Sequence, residues 1–261
     1  MQSRNPVFKK QRVASQGVWN APPPSPEQLH YMYNAPSYAP PAARPMTIDD
    51  VVVRGFITLG TLVVSAAAAW VLNLGPAFAA LGAIVGLVLA LIVSFRQSTN
   101  PALILGYSVA YGVTVGVVSH LYNEVSNGIV FQAVLGTALA FGAMLAVHSL
   151  RIIRVTPKFT RFVVGAGIAL MAMMLINLVA SFFVEDGIGI RAGGPLAMLF
   201  SVATILIGCF FLLLDFNDIE QGVRSQIPEK YAWLMAFGLT VTLVWLYLEI
   251  LRFLSYFTSS D

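Results

Sequence analysis

A chain of 261 residues that is 57% hydrophobic and 10% charged, with a mean hydropathy of +0.78, carries more apolar side chain than a soluble domain hides. Soluble domains run to about 45–50% apolar. The formal net charge of +3 lacks the strongly basic profile of a nucleic-acid binder, and the single Cys209 excludes an intramolecular disulfide or a cysteine-built zinc site. Cys209 sits inside an apolar run and reads as a packing residue.

Residues 1–48 form a separate tail. Ala21-Pro22-Pro23-Pro24-Ser25-Pro26, with Pro36, Pro40, Pro41 and Pro45, excludes regular helix, and the segment lacks the apolar periodicity of a core. A disordered cytoplasmic tail is expected. The interleaved Tyr31, Tyr33 and Tyr38 add a sharper reading, a docking segment for a partner that grips extended Pro-rich peptides. The tail has no apolar core of the kind a cleaved signal peptide carries, so the first spanning helix is expected to direct insertion.

Seven apolar runs follow over residues 49–258, each near the ~20 residues that cross ~30 Å of hydrocarbon as a helix. The first runs from Val51 to Leu72, opened by Thr47-Ile48-Asp49-Asp50, which has the form of a capping box with acids at the helix start. The second covers Ala77 to Phe95. The third opens at Asn100-Pro101, a capping residue followed by a first-turn proline, and runs to Tyr122. The fourth spans Gly128 to Leu150, the fifth Phe162 to Val184, the sixth Pro195 to Asp215, and the seventh runs from Pro228 to Tyr256. Gly82 and Gly86, and Gly112 and Gly116, lie four apart on the second and third spans, the spacing that lets helix backbones approach closely in lipid.

Charge between the spans sets their direction. With the tail inside, the inner segments hold Arg4, Lys9, Lys10, Arg12, Arg44, Arg96, Arg224, Lys230 and the acid-free loop Arg151 to Arg161; the outer ones hold Arg191 and Arg252. The N-terminus is therefore expected in the cytoplasm and the C-terminus outside. The inner cations are also expected to meet anionic lipid.

Charges within the spans are the functional candidates, because a charge in hydrocarbon costs at least ~2.5 kcal/mol unless it finds a partner or water. Asp215 closes the sixth span and Glu249 sits among apolar residues of the seventh, with Arg252 three residues on as a same-helix partner. Arg54 and Arg96 stand at the same inner level as Asp215, so an ion pair closing the cytoplasmic end is expected; as simple anchors they would snorkel instead. Asp218 and Glu220 read as loop acids in water. His30, His120 and His148 are too scattered to suggest a metal site, and no catalytic motif is visible, so an enzyme is not expected.

Leu213-Leu214-Asp215-Phe216-Asn217 and Leu246-Tyr247-Leu248-Glu249-Ile250-Leu251-Arg252, together with the span count, resemble the transmembrane Bax inhibitor motif family, in particular its bacterial YccA-like branch. The resemblance covers residues 46 to 257. It implies an all-α, seven-helix membrane bundle in a bacterial plasma membrane, without a bound cofactor, that leaks calcium under the control of pH. Carried over by motif, Asp215 and Glu249 would be the proton-sharing, calcium-meeting acids and Arg96 the latch, with Arg54 a second candidate. Two departures stand out: Glu249 replaces the usual aspartate, and the stretch between the acids is longer than usual. A straight last helix from Pro228 puts Glu249 ~30 Å along it, near the outer surface. A break at Gly238, or an inner part lying outside the hydrocarbon, would bring the acids closer.

Three functions follow from these residues. The first is a passive cation pathway gated by protonation, with oxygen ligands from Asp215, Glu249, Asn177 and backbone carbonyls. The second is a non-conducting regulator that binds other membrane proteins, such as a membrane protease. The third is a proton-coupled transporter of small solutes, against which no duplication of the spans is apparent.

Overall fold

The computed structural model describes residues 25–27, 30, 44–184 and 187–258. The chain divides into two units, Met1–Ala42 and Ala43–Asp261, and the helices described below belong to the second. Most of the Pro-rich tail, with its expected disorder, lies outside the described residues; of those described, Pro26, Glu27 and His30 are helical, where the prolines predict no regular helix. Among the described residues, seven helices are long and apolar enough to cross a membrane: α1 (Ile48–Val71), α2 (Pro76–Arg96), α3 (Pro101–Val125), α4 (Ile129–Ser149), α5 (Pro157–Ala180), α6 (Gly194–Arg224) and α7 (Ala232–Thr258). No strand occurs among the described residues. The protein is an all-α integral membrane protein.

Local sequence explains the helix starts. Thr47 accepts from the Asp50 amide while the Asp50 carboxylate takes the Thr47 N–H at 2.9 Å, completing the capping box. Asn100 accepts from the Ala102 amide ahead of Pro101. Thr156 does the same for Phe159, so α5 begins at Pro157, earlier than Phe162, and draws Lys158 and Arg161 into its first turns. The larger departure is α6. At 31 residues it runs past Asp215 to Arg224, so Asp215 lies inside the helix and Asp218 and Glu220 are helical rather than loop residues.

Glycines set the closest approaches. A Cβ on Gly82 would lie 2.5 Å from the Ala110 carbonyl oxygen of α3, and one on Gly112 would lie 2.5 Å from that of Leu62 in α1. Gly116 sits equally tightly on Ala66. Thus α3 is gripped between α1 and α2, where backbone contact replaces the hydrophobic drive that lipid cannot supply. α7 packs against α6, α1, α4 and α3. In their most apolar stretches α3 and α7 are each 50% buried, against 11% for α4 and α5, which places α3 and α7 at the centre.

The antiparallel course gathers the starts of α1, α3, α5 and α7 and the ends of α2, α4 and α6 at one end of the bundle, here the basic end. Arg44–Thr47, read from sequence as the close of the tail, are packed there. The Met46 amide donates to the Ile227 carbonyl at 2.8 Å, and the Glu229 amide donates to that of Arg44 at 2.8 Å. Met46 itself is 1% exposed, among Val51, Ile219, Val223, Ile227 and Ala232.

Candidate functional site

The buried acids occupy two separate positions along the contact between α6 and α7. Asp215 lies near the basic end. A Cβ on Gly238 of α7 would sit 3.8 Å from Asp215 Oδ1, so the absence of a side chain there leaves the carboxyl room against the neighbouring helix. Asp215 Oδ2 is buried without a hydrogen-bond partner, although the Thr242 hydroxyl of α7 stands beside the carboxyl. The carboxyl borders a cleft of ≈ 250 Å³ whose lining also includes Ser94 from α2, Gln97 just past its end, Asp218 from α6, and Leu234, Met235 and Phe237 from α7. Carboxylates, a hydroxyl and an amide carbonyl are the oxygen donors that a hard cation takes.

Glu249 is 3% exposed near the far end. Its Oε1 accepts from Arg252 Nη1 at 2.8 Å and from Arg191 Nη2 at 3.2 Å, and its Oε2 accepts from Thr204 Oγ1 at 3.1 Å. Both oxygens are therefore engaged. Arg252 is the same-helix partner expected from the sequence. Arg191 was not foreseen; it comes from the α5–α6 loop, 58 residues away in the chain. Its position just ahead of an apolar helix carries no signal that it turns inward.

The two acids do not form a pair. Asp215 faces Gly238 and Glu249 faces Thr204, a separation of eleven residues on each helix, or ~16 Å at ~1.5 Å per residue. A single ion or proton cannot be shared over that distance. Gly238 produces no break, because α7 runs through it as continuous helix. Between the acids lie Leu212, 0% exposed, and Leu246, 1% exposed, packed with Phe216 and Ile250. This layer separates the two acids with closely packed apolar side chains.

The expected pair between Asp215 and Arg54 or Arg96 is also not formed. Arg54 Nη2 donates to Glu229 Oε1, its Nη1 lies 3.7 Å from Asp50, and its guanidinium covers Trp233. Glu229 follows Pro228 in the single 3₁₀ turn Glu229–Tyr231 and reaches α1 from there. Arg44 joins the same group through Asp50 and Glu229. The hydrogen bond to Glu229, then the charge of Asp50, holds the Arg44 guanidinium protonated above its ordinary range. Arg96 is exposed at the end of α2 and has no ion pair among the described residues.

Other candidates take structural places. Asn177 is 7% exposed, and its Oδ1 accepts from the Ile188 amide at 3.0 Å, fixing the α5–α6 loop. Cys209 packs against the Leu212 cluster. His148 meets Glu220 at 3.2 Å and His120 meets Glu124 at 3.6 Å, in different parts of the bundle. No group of three or more His, Cys, Asp or Glu converges among the described residues.

A family model described as Bax inhibitor 1 like matches residues 5–259. No curated protein matches the chain at a significant level. The match extends over both buried acids, all seven helices and the loop that carries Arg191, and the chain belongs to the Bax inhibitor 1 like family.

Proposed function

We propose that the protein is a passive cation leak of the Bax inhibitor type, passing calcium across a bacterial plasma membrane under the control of pH, and that it is not an enzyme. The observation that carries this reading is the unpartnered, buried Asp215 Oδ2 beside an oxygen-lined cleft. A carboxyl that no arginine neutralises is available to a proton or a cation, and competition between the two makes cation entry depend on pH. Asp215 is then the entry ligand, with Asp218, Gln97 and Ser94 beside it, and Glu249, held by Arg191 and Arg252, lies beyond the apolar layer. The concentration of cations at the basic end supports placing that end in the cytoplasm and the C-terminus outside.

The decisive experiment is calcium uptake into liposomes carrying the purified full-length chain, across a pH series. Uptake above that of empty liposomes, changing with pH, is expected. Asp215→Asn is expected to lower uptake and flatten its pH response. Because no arginine holds Asp215, a variant leaking strongly at every pH would show that the carboxyl acts as a latch rather than a ligand. No uptake at any pH would end the leak reading in favour of a non-conducting regulator.

A further inference from the structure

Residues 187–193 of the α5–α6 loop pack against the far end of the bundle. Ile190 is 5% exposed, so the middle of the loop is seated in protein rather than extended into solvent. Asn177 pins one side of it through the Ile188 amide. Gly187, at φ +64°, lies so near Asn177 that a Cβ there would be 2.8 Å from both its carbonyl and side-chain oxygens. Arg191 pins the other side through Glu249. Gly189, Gly193 and Gly194, at φ +81°, +91° and +82°, flank Arg191 with positions that bend readily.

The Arg191 contact is held but not saturated. Among the described residues, two guanidiniums share one carboxylate oxygen, which leaves a surplus positive charge in a largely buried group. Arg252 lies on the same helix as Glu249 and stays with it whatever the loop does. Arg191 is repelled by Arg252, and its Nε is buried with no acceptor. The loop cation is thus the more weakly held of the two, and its release leaves behind a neutral Glu249–Arg252 pair rather than a bare buried charge.

We propose that Arg191 is the gate residue of the far end: it fastens the 187–193 loop across the exit beside Glu249, and the pathway opens there when this contact breaks. The proposal rests on the cation-pathway reading above and adds its second gate. A cation arriving past the apolar layer meets the Arg191 guanidinium, which both blocks the exit and repels it. Withdrawal of the loop removes the obstacle and the repelling charge together.

Ser201 supplies a reporter that does not depend on conduction. It is 1% exposed and lies one turn nearer the far end than Thr204, whose hydroxyl donates to its carbonyl. In a Cys209→Ala background, the full-length chain carrying Ser201→Cys is reacted with a hydrophilic maleimide, with and without Arg191→Gln. Loss of the charge-assisted contact is expected to speed labelling about tenfold, and Arg191→Lys, which keeps the charge, to restore much of the protection. Calcium uptake should rise in Arg191→Gln liposomes. Asn177→Ser releases the loop from its other side, so it reads the same accessibility should Arg191→Gln not fold. If wild-type liposomes take up calcium while labelling and uptake are unchanged in both variants, the gate is refuted and the leak reading stands. If labelling rises as expected but wild-type protein passes no calcium, the loop closure stands and the leak reading fails.

Discussion

Replacing Glu249 by Gln removes the counter-charge of a buried group without altering its shape. The carboxylate side chain is 4% exposed, whereas Arg191 and Arg252 are 30% and 22% exposed. After the substitution two guanidiniums face one another across a neutral amide that offers one acceptor oxygen in place of two. Breaking a buried ion pair by deleting one partner costs about 3–5 kcal/mol. For a unit of this size each kcal/mol lowers the melting temperature by about 2–4 °C, so a drop of roughly 6–20 °C is expected. Glu220→Gln is the comparison. Its charged partner Arg224 is 65% exposed and Glu220 itself 37%, with His148 as a further contact, and such surface pairs are worth about 0–1 kcal/mol. Thermal unfolding in detergent of the two single variants and of Glu249→Gln/Arg191→Gln measures the difference. The double variant should recover part of the loss, because it removes the like charge that the single variant leaves stranded. Equal melting temperatures for Glu249→Gln and Glu220→Gln would refute the claim that Glu249 neutralises a buried cationic group.

Three further outcomes are expected. Gly112→Ala needs roughly 0.9 Å of separation between α1 and α3, the difference between the 2.5 Å a Cβ would have to the Leu62 carbonyl oxygen and ordinary contact at 3.4 Å; it should cut the yield of folded protein, while Gly142→Ala, with nothing within 4 Å, should not. Met46→Ala empties a fully buried socket and should cost about 2–5 kcal/mol in thermal unfolding, unlike Ile48→Ala at a 56% exposed position. Single cysteines at Ser126 and Ser225 in a Cys209→Ala background should label from opposite sides of the membrane in cells, and labelling of both by one impermeant reagent applied outside would overturn the seven-span topology.

Sequence alone determined the number of spans and where most of them start, because each apolar run is long enough for hydrocarbon and the caps at Thr47 and Asn100 act within a few residues. It also singled out Asp215 and Glu249 as charges that lipid does not tolerate unaided, and the family resemblance rested on the residues around them. The end of α6 was not legible: apolarity fades after Leu214, but helix formation does not, and Phe216-Asn217-Asp218-Ile219-Glu220 continues as helix while packing Phe216 and Ile219 inward. Only the tertiary structure decided which charges meet. Arg54 turns to Glu229 because the 3₁₀ turn delivers that carboxylate to α1, and Arg191 turns to Glu249 because glycines and Asn177 fold its loop back over the bundle. Hydropathy and capping are local, whereas these pairings join residues 175 and 58 positions apart, so their partners are set by loop path and helix register rather than by the neighbouring sequence.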